Sequence, residues 1–191
     1  MPKLGMEPIR RAALVKATIE EIGEQGSLDV TVAQIARRAG MSSALAHHYF
    51  GNKDNIFLAA MRHLLALYSA EVRGALQAAQ SDPRARAAAL LRANFGPSNF
   101  RPEVVAAWLN FYVLARTSVP AARLLRIYHR RLRSNLTHDL RPLLGAGAPD
   151  AAERLAALID GLYLKQGLAG GPADGASATR HLLAALELEL K

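Results

Sequence analysis

Residues 31–53, TVAQIARRAGMSSALAHHYFGNK, predict two short helices joined by a glycine turn. Thr31 is suited to cap the first helix, Gly40 supplies the turn, and Ser42 is suited to cap the second. The apolar residues of the first helix recur at i, i+3, i+4 and i+7: Val32, Ile35, Ala36 and Ala39. The second helix has no acidic side chain, so it could lie in the major groove of DNA while its neighbours grip the phosphates.

The rest of the chain predicts an all-α protein of about nine helices. Apolar residues make up 51% of the chain and aromatic residues only 6%, with no run of alternating β-branched residues. The first helix starts at Glu7 or Pro8 and stops at Gly26. Beyond the first three, helices are predicted at about 53–80, 83–95, 101–117, 120–144, 149–168 and 176–190. The sequence therefore predicts a helix-turn-helix domain at 1–53 and a helical body at 54–191, with glycine-rich separators at 145–147 and 170–172.

Charge and composition limit the partners and the chemistry. The formal net charge of +8 suits a polyanion, but residues 1–62 carry eight basic and six acidic side chains, so charge alone does not locate a nucleic-acid site. The absence of cysteine excludes disulfides and thiolate metal sites. No apolar run reaches the ~20 residues that span a bilayer, and the N-terminus lacks the apolar part of a secretory signal. We expect a cytoplasmic protein with no membrane partner.

Catalytic and metal-binding constellations are lacking in the sequence. His47 and His48 are adjacent, so on a helix their side chains diverge by about 100°, and no third ligand is near. His129 and His138 lie nine residues apart in an arginine-rich segment and suggest no reaction. Without a nucleophile–base set, paired carboxylates or a phosphate loop, a helical enzyme or other ligand-binding protein is a remote alternative. We expect neither a cofactor nor a metal.

The segment TVAQIARRAGMSSALAHHYFGNKDNIF resembles the helix-turn-helix of the TetR family of bacterial transcription regulators. That family usually has a Thr opening its second helix, an Ala-Gly-apolar-Ser turn, an aromatic/His pair before a Phe, and a Lys three residues later. These features stand here at Thr31, 39–42, 48–50 and Lys53. Several stretches (MPKLGMEPIRR at the start, AQIARRAG, HYF, AWLNF, RLRSNL and AALIDGLYLKQGL) are similar to a subfamily of choline-sensing repressors of glycine betaine synthesis.

The resemblance implies roles for residues of the predicted helix-turn-helix domain at 1–53, which we call the reading head. Thr31 and Ser42 would bind phosphates at helix N-termini, with Tyr49 and Lys53 on the other flank. Ser43, His47 and His48 would hydrogen-bond to base edges, while Ala44 or Leu45 would contact a thymine methyl group. Met41 and Phe50 are expected in the core whatever the function, and Ser42 would cap a helix in any protein.

Five residues of the body are candidates for an effector site. Trp108 and Tyr112 lie at i, i+4 beside Phe111, and Asp160 and Tyr163 lie at i, i+3 on another helix. Aromatic faces and a carboxylate are what a quaternary ammonium needs, since it has no hydrogen to donate. Periodicity alone favours the simpler interpretation that these rings fill the core. Choline as the effector is implied only by the resemblance, and a TetR-type repressor with a different effector is the alternative.

The two C-terminal helices are predicted to form a homodimer, although an ordinary core could also use their apolar surface. Their apolar residues make two stripes, which would build a four-helix interface: Leu155, Ala156, Ile159, Leu162, Tyr163 and Gln166 on the helix at 149–168, and Leu182, Leu183, Leu186 and Leu190 on the helix at 176–190. A dimer presents two reading helices to a palindromic operator. The resemblance implies that the protein represses choline-to-glycine-betaine genes and that choline releases it from this operator.

Overall fold

The computed structural model describes residues 5–169 and 173–191, and in these residues the chain is helical without a strand. The all-α prediction is therefore confirmed. The predicted separator at 170–172 lies outside the described residues, and the one at 145–147 is a short 3-10 turn. These described residues form nine α-helices: α1 (Met6–Gln25), α2 (Val32–Arg38), α3 (Ser43–Phe50), α4 (Lys53–Ala78), α5 (Pro83–Asn94), α6 (Pro102–Leu114), α7 (Val119–Leu144), α8 (Ala148–Gly167) and α9 (Gly175–Glu189).

Local hydrogen bonds set the helix starts where the sequence predicts them. The Thr31 hydroxyl accepts from the Gln34 backbone N–H, and the Gln34 side chain accepts from the Thr31 N–H, which makes a capping box. The Ser42 hydroxyl accepts from the Leu45 N–H, and the Asp82 carboxylate caps α5. Each cap satisfies backbone N–H groups that a helix leaves unpaired at its start. Helix ends are less exact: α6 stops at Leu114, three residues before the predicted end.

The first three helices pack around a small core that includes Ile35, Ala36 and Ala46, each with no exposed surface. Met41 and Phe50, predicted as core residues, lie half-buried at its edge. An ion-pair cluster holds α2 on α1: Arg38 Nε donates to Glu21 Oε1 at 2.7 Å, and its other nitrogens reach Glu20 and Glu24. Hydrogen bonds from Arg38 to Glu24 and Glu21 raise the pKa of its guanidinium. Arg38 is thus committed to the fold.

The body, α4 to α9, is held by aliphatic packing and one partly buried ion pair. Leu90, Leu136, Leu155 and Leu182, one from each of four helices, have at most 1% of their surface exposed. Arg86 Nε donates to Asp139 Oδ1 at 2.8 Å, and its Nη1 donates to the carbonyl oxygen of Leu76 at 3.3 Å. This guanidinium joins α4, α5 and α7 at one end of the body.

The reading head meets the body where α1 crosses α6. A Cβ built on Gly23 of α1 would lie 2.3 Å from Glu103 Cβ and 2.7 Å from Glu103 Cα, closer than any real contact. One turn away, the Asn110 amide donates to the carbonyl oxygen of Gly26 at 3.2 Å. The absence of a side chain at Gly23 lets the two helices approach this closely. Movement of α6 therefore bears directly on α1.

The predicted dimer stripes of α8 and α9 point into the subunit itself, which corrects their assignment. Leu155, Ile159, Leu182 and Leu186 have at most 1% of their surface exposed within a single chain, so a second chain has nothing to cover there. Leu162 and Tyr163 are also buried, and the other stripe residues are half-buried (Ala156, Gln166, Leu183 and Leu190). The opposite faces expose Leu164 (52%), Leu168 (71%) and Leu188 (67%).

Among the described residues, no helix carries an apolar stretch long enough to cross a membrane.

Candidate nucleic-acid interface and aromatic pocket

Helix α3 presents one open face, made by Ala44, His47 and His48. All three are exposed, whereas Ala46 on the opposite side is fully buried. The spacing i, i+3, i+4 puts the three side chains side by side. His47 Nδ1 lies 3.0 Å from the carbonyl oxygen of Gly51. A carbonyl only accepts, so Nδ1 donates in this contact, and Nε2 is the acceptor of a ring that carries a single proton.

The remaining base-contact candidates lie at the edges of this face. Ser43 and Leu45 are half-buried. Tyr49, which is predicted to contact a phosphate, is half-buried next to His48, with ring centroids 5.5 Å apart. The Arg11 guanidinium of α1 lies 5.3 Å from the centre of the Tyr49 ring. Sequence reasoning did not find Arg11. Its position four residues after Glu7, with which it pairs at 2.7 Å, suggests only a surface ion pair.

The residues predicted to contact phosphates already use some of their hydrogen-bonding groups within the protein. Thr31 and Ser42 are exposed at the N-termini of α2 and α3, but both hydroxyls already cap their helices. Lys53 Nζ donates to the carbonyl oxygen of Leu28 at 3.1 Å, and the ammonium lies 5.5 Å from the centre of the Phe57 ring. A lysine ammonium has three donors, so two of them stay available to a phosphate.

Five aromatic residues from α4, α6, α7 and α8 meet in one place. Trp108 lies 4.9 Å from Tyr128, 5.9 Å from Tyr112 and 6.4 Å from Tyr163, measured between ring centroids. Tyr68 of α4 packs edge-on against Tyr128 at 5.7 Å. We call these five residues the aromatic box. The amide-bearing Asn94 and Asn99 complete its lining.

Hydrogen bonds fix the orientation of two tyrosines in the aromatic box. The Tyr112 hydroxyl donates to Asp160 Oδ1 at 2.8 Å, and the Tyr163 hydroxyl donates to the carbonyl oxygens of Asn94 and Asn99 at 2.8 and 3.1 Å. Burial raises the pKa of all four tyrosines of the box above the usual value, and the nearby Asp160 carboxylate raises that of Tyr112 further. At neutral pH the box is thus lined by neutral phenols and an indole.

The space inside the aromatic box is small. The volume open to the centre of a water molecule is about 10 Å³, which is the room of a single water. A larger guest requires the rings, and with them the helices that carry them, to move apart.

Two of the five predicted effector residues lie outside the lining. Phe111 has 1% of its surface exposed and packs behind Trp108, with ring centroids 5.9 Å apart, so it is a core residue. Asp160 reaches the box only through the Tyr112 hydroxyl, and its Oδ2 lies 3.2 Å from His129 Nε2 in a neighbouring arginine-lined cleft. Trp108, Tyr112 and Tyr163 are brought together as predicted.

Sequence reasoning missed two of the rings and a carboxylate. Tyr68 follows the apolar stripe of α4, and Tyr128 lies in an arginine-rich helix at the spacing of Ala121, Leu132 and Leu136, which are all buried. That spacing could have placed Tyr128 inside. Glu71 accepts a hydrogen bond from the Asn99 amide and lies close enough to Tyr163 to raise the pKa of that phenol. Only the packing of α4 against the 96–100 turn brings Glu71 to this place.

A three-helix unit with an open third helix, joined to a helical body around an aromatic pocket, defines a helix-turn-helix transcription regulator. Residues 14–60 match the model of bacterial regulatory proteins of the tetR family, and residues 83–191 match that of the C-terminal part of BetI-type transcriptional repressors. The chain therefore belongs to the TetR family, with a C-terminal part of the BetI type, as its motifs predict. These relatives are regulators of transcription and not enzymes, and TetR regulators bind DNA and small-molecule effectors as dimers.

Individual relatives agree with this assignment along the chain. The chain is 52% identical over 179 residues to the HTH-type transcriptional regulator BetI of Brucella melitensis, covering 93% of this chain and 90% of the relative. It is 52% identical over 173 residues to that of Rhizobium meliloti, covering 90% and 85%.

Solved structures share the fold. A putative transcriptional regulator from Pseudomonas aeruginosa PAO1 superposes with a TM-score of 0.81 at 28% identity, over 98% of this chain and 93% of the other. A putative regulator from Saccharomonospora viridis in complex with choline superposes with a TM-score of 0.79 at 22% identity, over 93% and 95%. At 22% identity the second comparison shows the common fold alone.

Proposed function

We propose that this chain is a cytoplasmic, dimeric repressor of choline-to-glycine-betaine genes, released from a palindromic operator when choline binds in its body. The aromatic box carries the proposal, together with the BetI-type relatives. Residues 1–53 act as the DNA-binding part and residues 54–191 as the effector-binding and dimerisation part. No cofactor takes part.

The aromatic box suits a quaternary ammonium. Such a cation has no N–H to donate, and a ring face attracts it by about 0.5–2 kcal/mol, most strongly at Trp. The box offers one indole and four phenols, which the raised pKa values keep neutral. The carboxylates of Asp160 and Glu71, each one hydrogen bond away from the lining, add negative potential without competing for the centre.

The tight closure of the box couples effector binding to the reading head. With room for only one water, choline is admitted only by a state in which the helices have moved apart. Trp108 and Tyr112 lie on α6, and α6 touches α1 at Gly23 and at Gly26. A bound cation therefore favours a position of α6 that shifts α1 and, with it, the reading helix. Such couplings amount to about 1–3 kcal/mol.

At the operator, the open face of α3 reads bases. His47 Nε2, as an acceptor, matches the exocyclic amino groups that adenine and cytosine expose in the major groove. His48 is the second polar reader, and Ala44 or Leu45 contacts a thymine methyl group, with Ser43 beside them. Thr31, Ser42, Tyr49 and Lys53 grip phosphates, which makes the binding depend on salt.

The dimer uses the solvent faces of α8 and α9. Ala157, Gly161, Leu164 and Leu168 are all exposed and follow each other at i, i+4, i+7 and i+11 on α8. On α9, Leu188 is also exposed. An exposed stripe that combines small and large apolar residues is suited to close helix packing with a second copy.

Calorimetry with choline and its uncharged carbon isostere, 3,3-dimethylbutan-1-ol, tests the effector. The two have the same shape, so cation–π attraction makes choline bind at least about tenfold more tightly. Trp108→Leu removes the strongest face and weakens choline at least about fivefold. Leu109→Ala, on the same helix but outside the lining, is the matched control and leaves the affinity unchanged.

A second measurement tests release. Operator duplexes are selected by the purified protein from random sequence, and choline lowers the affinity for them. Equal affinities for choline and the isostere, or choline binding with no change in duplex affinity, would contradict the proposal.

A further inference from the structure

A second cleft lies on the outer side of the aromatic box, between α4 and α7. Its apolar floor is formed by Leu65, Val72, Leu76, Leu124, Ile127 and Leu132. Tyr68 and Tyr128 line both this cleft and the box, so they form a shared wall. Its volume of about 540 Å³ is that of a small-molecule site.

The charge of this cleft is of one sign. Arg62, Arg73 and Arg131 line it, and none of the ion pairs of residues 5–169 and 173–191 involves them. No acidic side chain is part of the described lining. Three arginines without carboxylate partners above an apolar floor repel a cation such as choline and attract an amphipathic anion.

The register of the two helices puts two of these arginines at a similar level along the cleft. The contact between Tyr68 of α4 and Tyr128 of α7 gives a common level on the two helices. Later in both helices, Arg86 contacts Leu76 of α4 and Asp139 of α7, so α4 and α7 run in the same direction. Measured along the helix axes from that level, Arg73 lies about 7.5 Å and Arg131 about 4.5 Å towards the same end. Asn135 lines the same end. Arg62 lies about 9 Å the other way, beyond the apolar floor.

We propose that this cleft binds a fatty-acid-class monocarboxylate, with its carboxylate between Arg73 and Arg131 and its chain along the apolar floor. Arginine suits this head group because its planar fork can bind a carboxylate through two parallel hydrogen bonds. Arg62 precedes Arg73 by 11 residue steps, a rise of about 16.5 Å along α4, which is room for a chain of roughly ten carbons. An occupied cleft presses on the shared tyrosines and so alters the affinity of the box for its own guest. This site goes beyond the proposed function, and its test needs neither DNA nor choline.

Decanoate, decanol and acetate separate the contributions of head and chain. Trp108 is the chain's one tryptophan, and Tyr128 of the cleft lies 4.9 Å from it, so Trp108 emission reports occupancy in addition to calorimetry. We expect decanoate to bind at least about tenfold more tightly than decanol or acetate, because only decanoate uses both the arginines and the floor.

Arg73→Gln and Arg131→Gln each weaken decanoate about tenfold, as expected for a charged hydrogen-bonded pair. Arg130→Gln removes an exposed arginine of the same helix that lies outside the cleft, and leaves decanoate binding unchanged. Equal binding of decanol, or equal loss in the Arg130 variant, overturns the proposal. Decanoate that fails to bind while Arg73→Gln shifts the sedimentation of the protein to a smaller particle also overturns it, because the cleft is then an interface between copies. A failure of choline to bind does not affect the test of decanoate binding.

Discussion

The junction between α1 and α6 gives the sharpest test of how the body reaches the reading head. Gly23→Ala adds a single Cβ at 2.3 Å from Glu103 Cβ and 2.7 Å from Glu103 Cα. An ordinary carbon contact is about 3.5–4.0 Å, so α1 and α6 must separate by about 1.5 Å. The obstacle includes the backbone of α6, which cannot rotate away as a side chain can.

Two opposing terms set the stability of this variant. Replacing glycine by alanine inside a helix stabilises it by about 1 kcal/mol, whereas overpacking costs about 1–3 kcal/mol. We expect a net loss of about 1 kcal/mol. Gly74→Ala is the matched control, because a Cβ on Gly74 of α4 meets nothing within 4 Å. The control therefore gains stability, and urea unfolding should separate the two variants by about 2 kcal/mol.

The functional consequence is loss of coupling. A separation of about 1.5 Å breaks the 3.2 Å hydrogen bond from Asn110 to Gly26, so α6 no longer drives α1. Duplex affinity, measured by fluorescence anisotropy with and without choline, should respond at least about threefold less in Gly23→Ala than in the parent. Gly74→Ala should respond as the parent does. A Gly23→Ala protein that is as stable as Gly74→Ala and keeps the full response would refute this reasoning.

Four further predictions concern side chains of the core, the aromatic box and α3. Arg86→Met leaves the buried Asp139 carboxylate without its cation and lowers the free energy of unfolding by about 3 kcal/mol in urea, whereas Arg84→Met, at an exposed pair, changes it by less than about 1 kcal/mol. Tyr163→Phe removes a buried hydroxyl that donates to two carbonyl oxygens; it costs about 1–2 kcal/mol in thermal unfolding but keeps choline binding within about threefold, since the ring face remains. His47→Ala lowers discrimination at one operator base pair by about 1–3 kcal/mol in a competition assay with substituted duplexes, and an unchanged base preference would contradict its role. The free energy of unfolding, measured in urea at a series of pH values, should fall above pH ~10, because tyrosines lose their phenol protons in the unfolded state while the four buried tyrosines keep theirs in the folded state. Each tyrosine contributes up to about 1.4 kcal/mol per pH unit. A flat profile would contradict the raised pKa values.

Features that depend on neighbours along the chain could be predicted from the sequence. Thr31, Ser42 and Asp82 cap helices because their side chains reach N–H groups two or three residues ahead, which needs no tertiary contact. The open face of α3 can be predicted in the same way, because α3 is short and Ala46 marks its buried side. The order and type of the helices were therefore within reach of the sequence, and so was the family.

Tertiary packing decided which apolar face of α8 is inside and which rings share the pocket. Leu155 and Leu164 lie on opposite faces of a helix that is apolar on both, so periodicity cannot tell core from interface. Tyr68 and Tyr128 join Trp108 from helices more than 15 residues away in sequence on either side. Contacts of that kind depend on how whole helices dock, and docking is set by the sum of many small packing energies that no local pattern records.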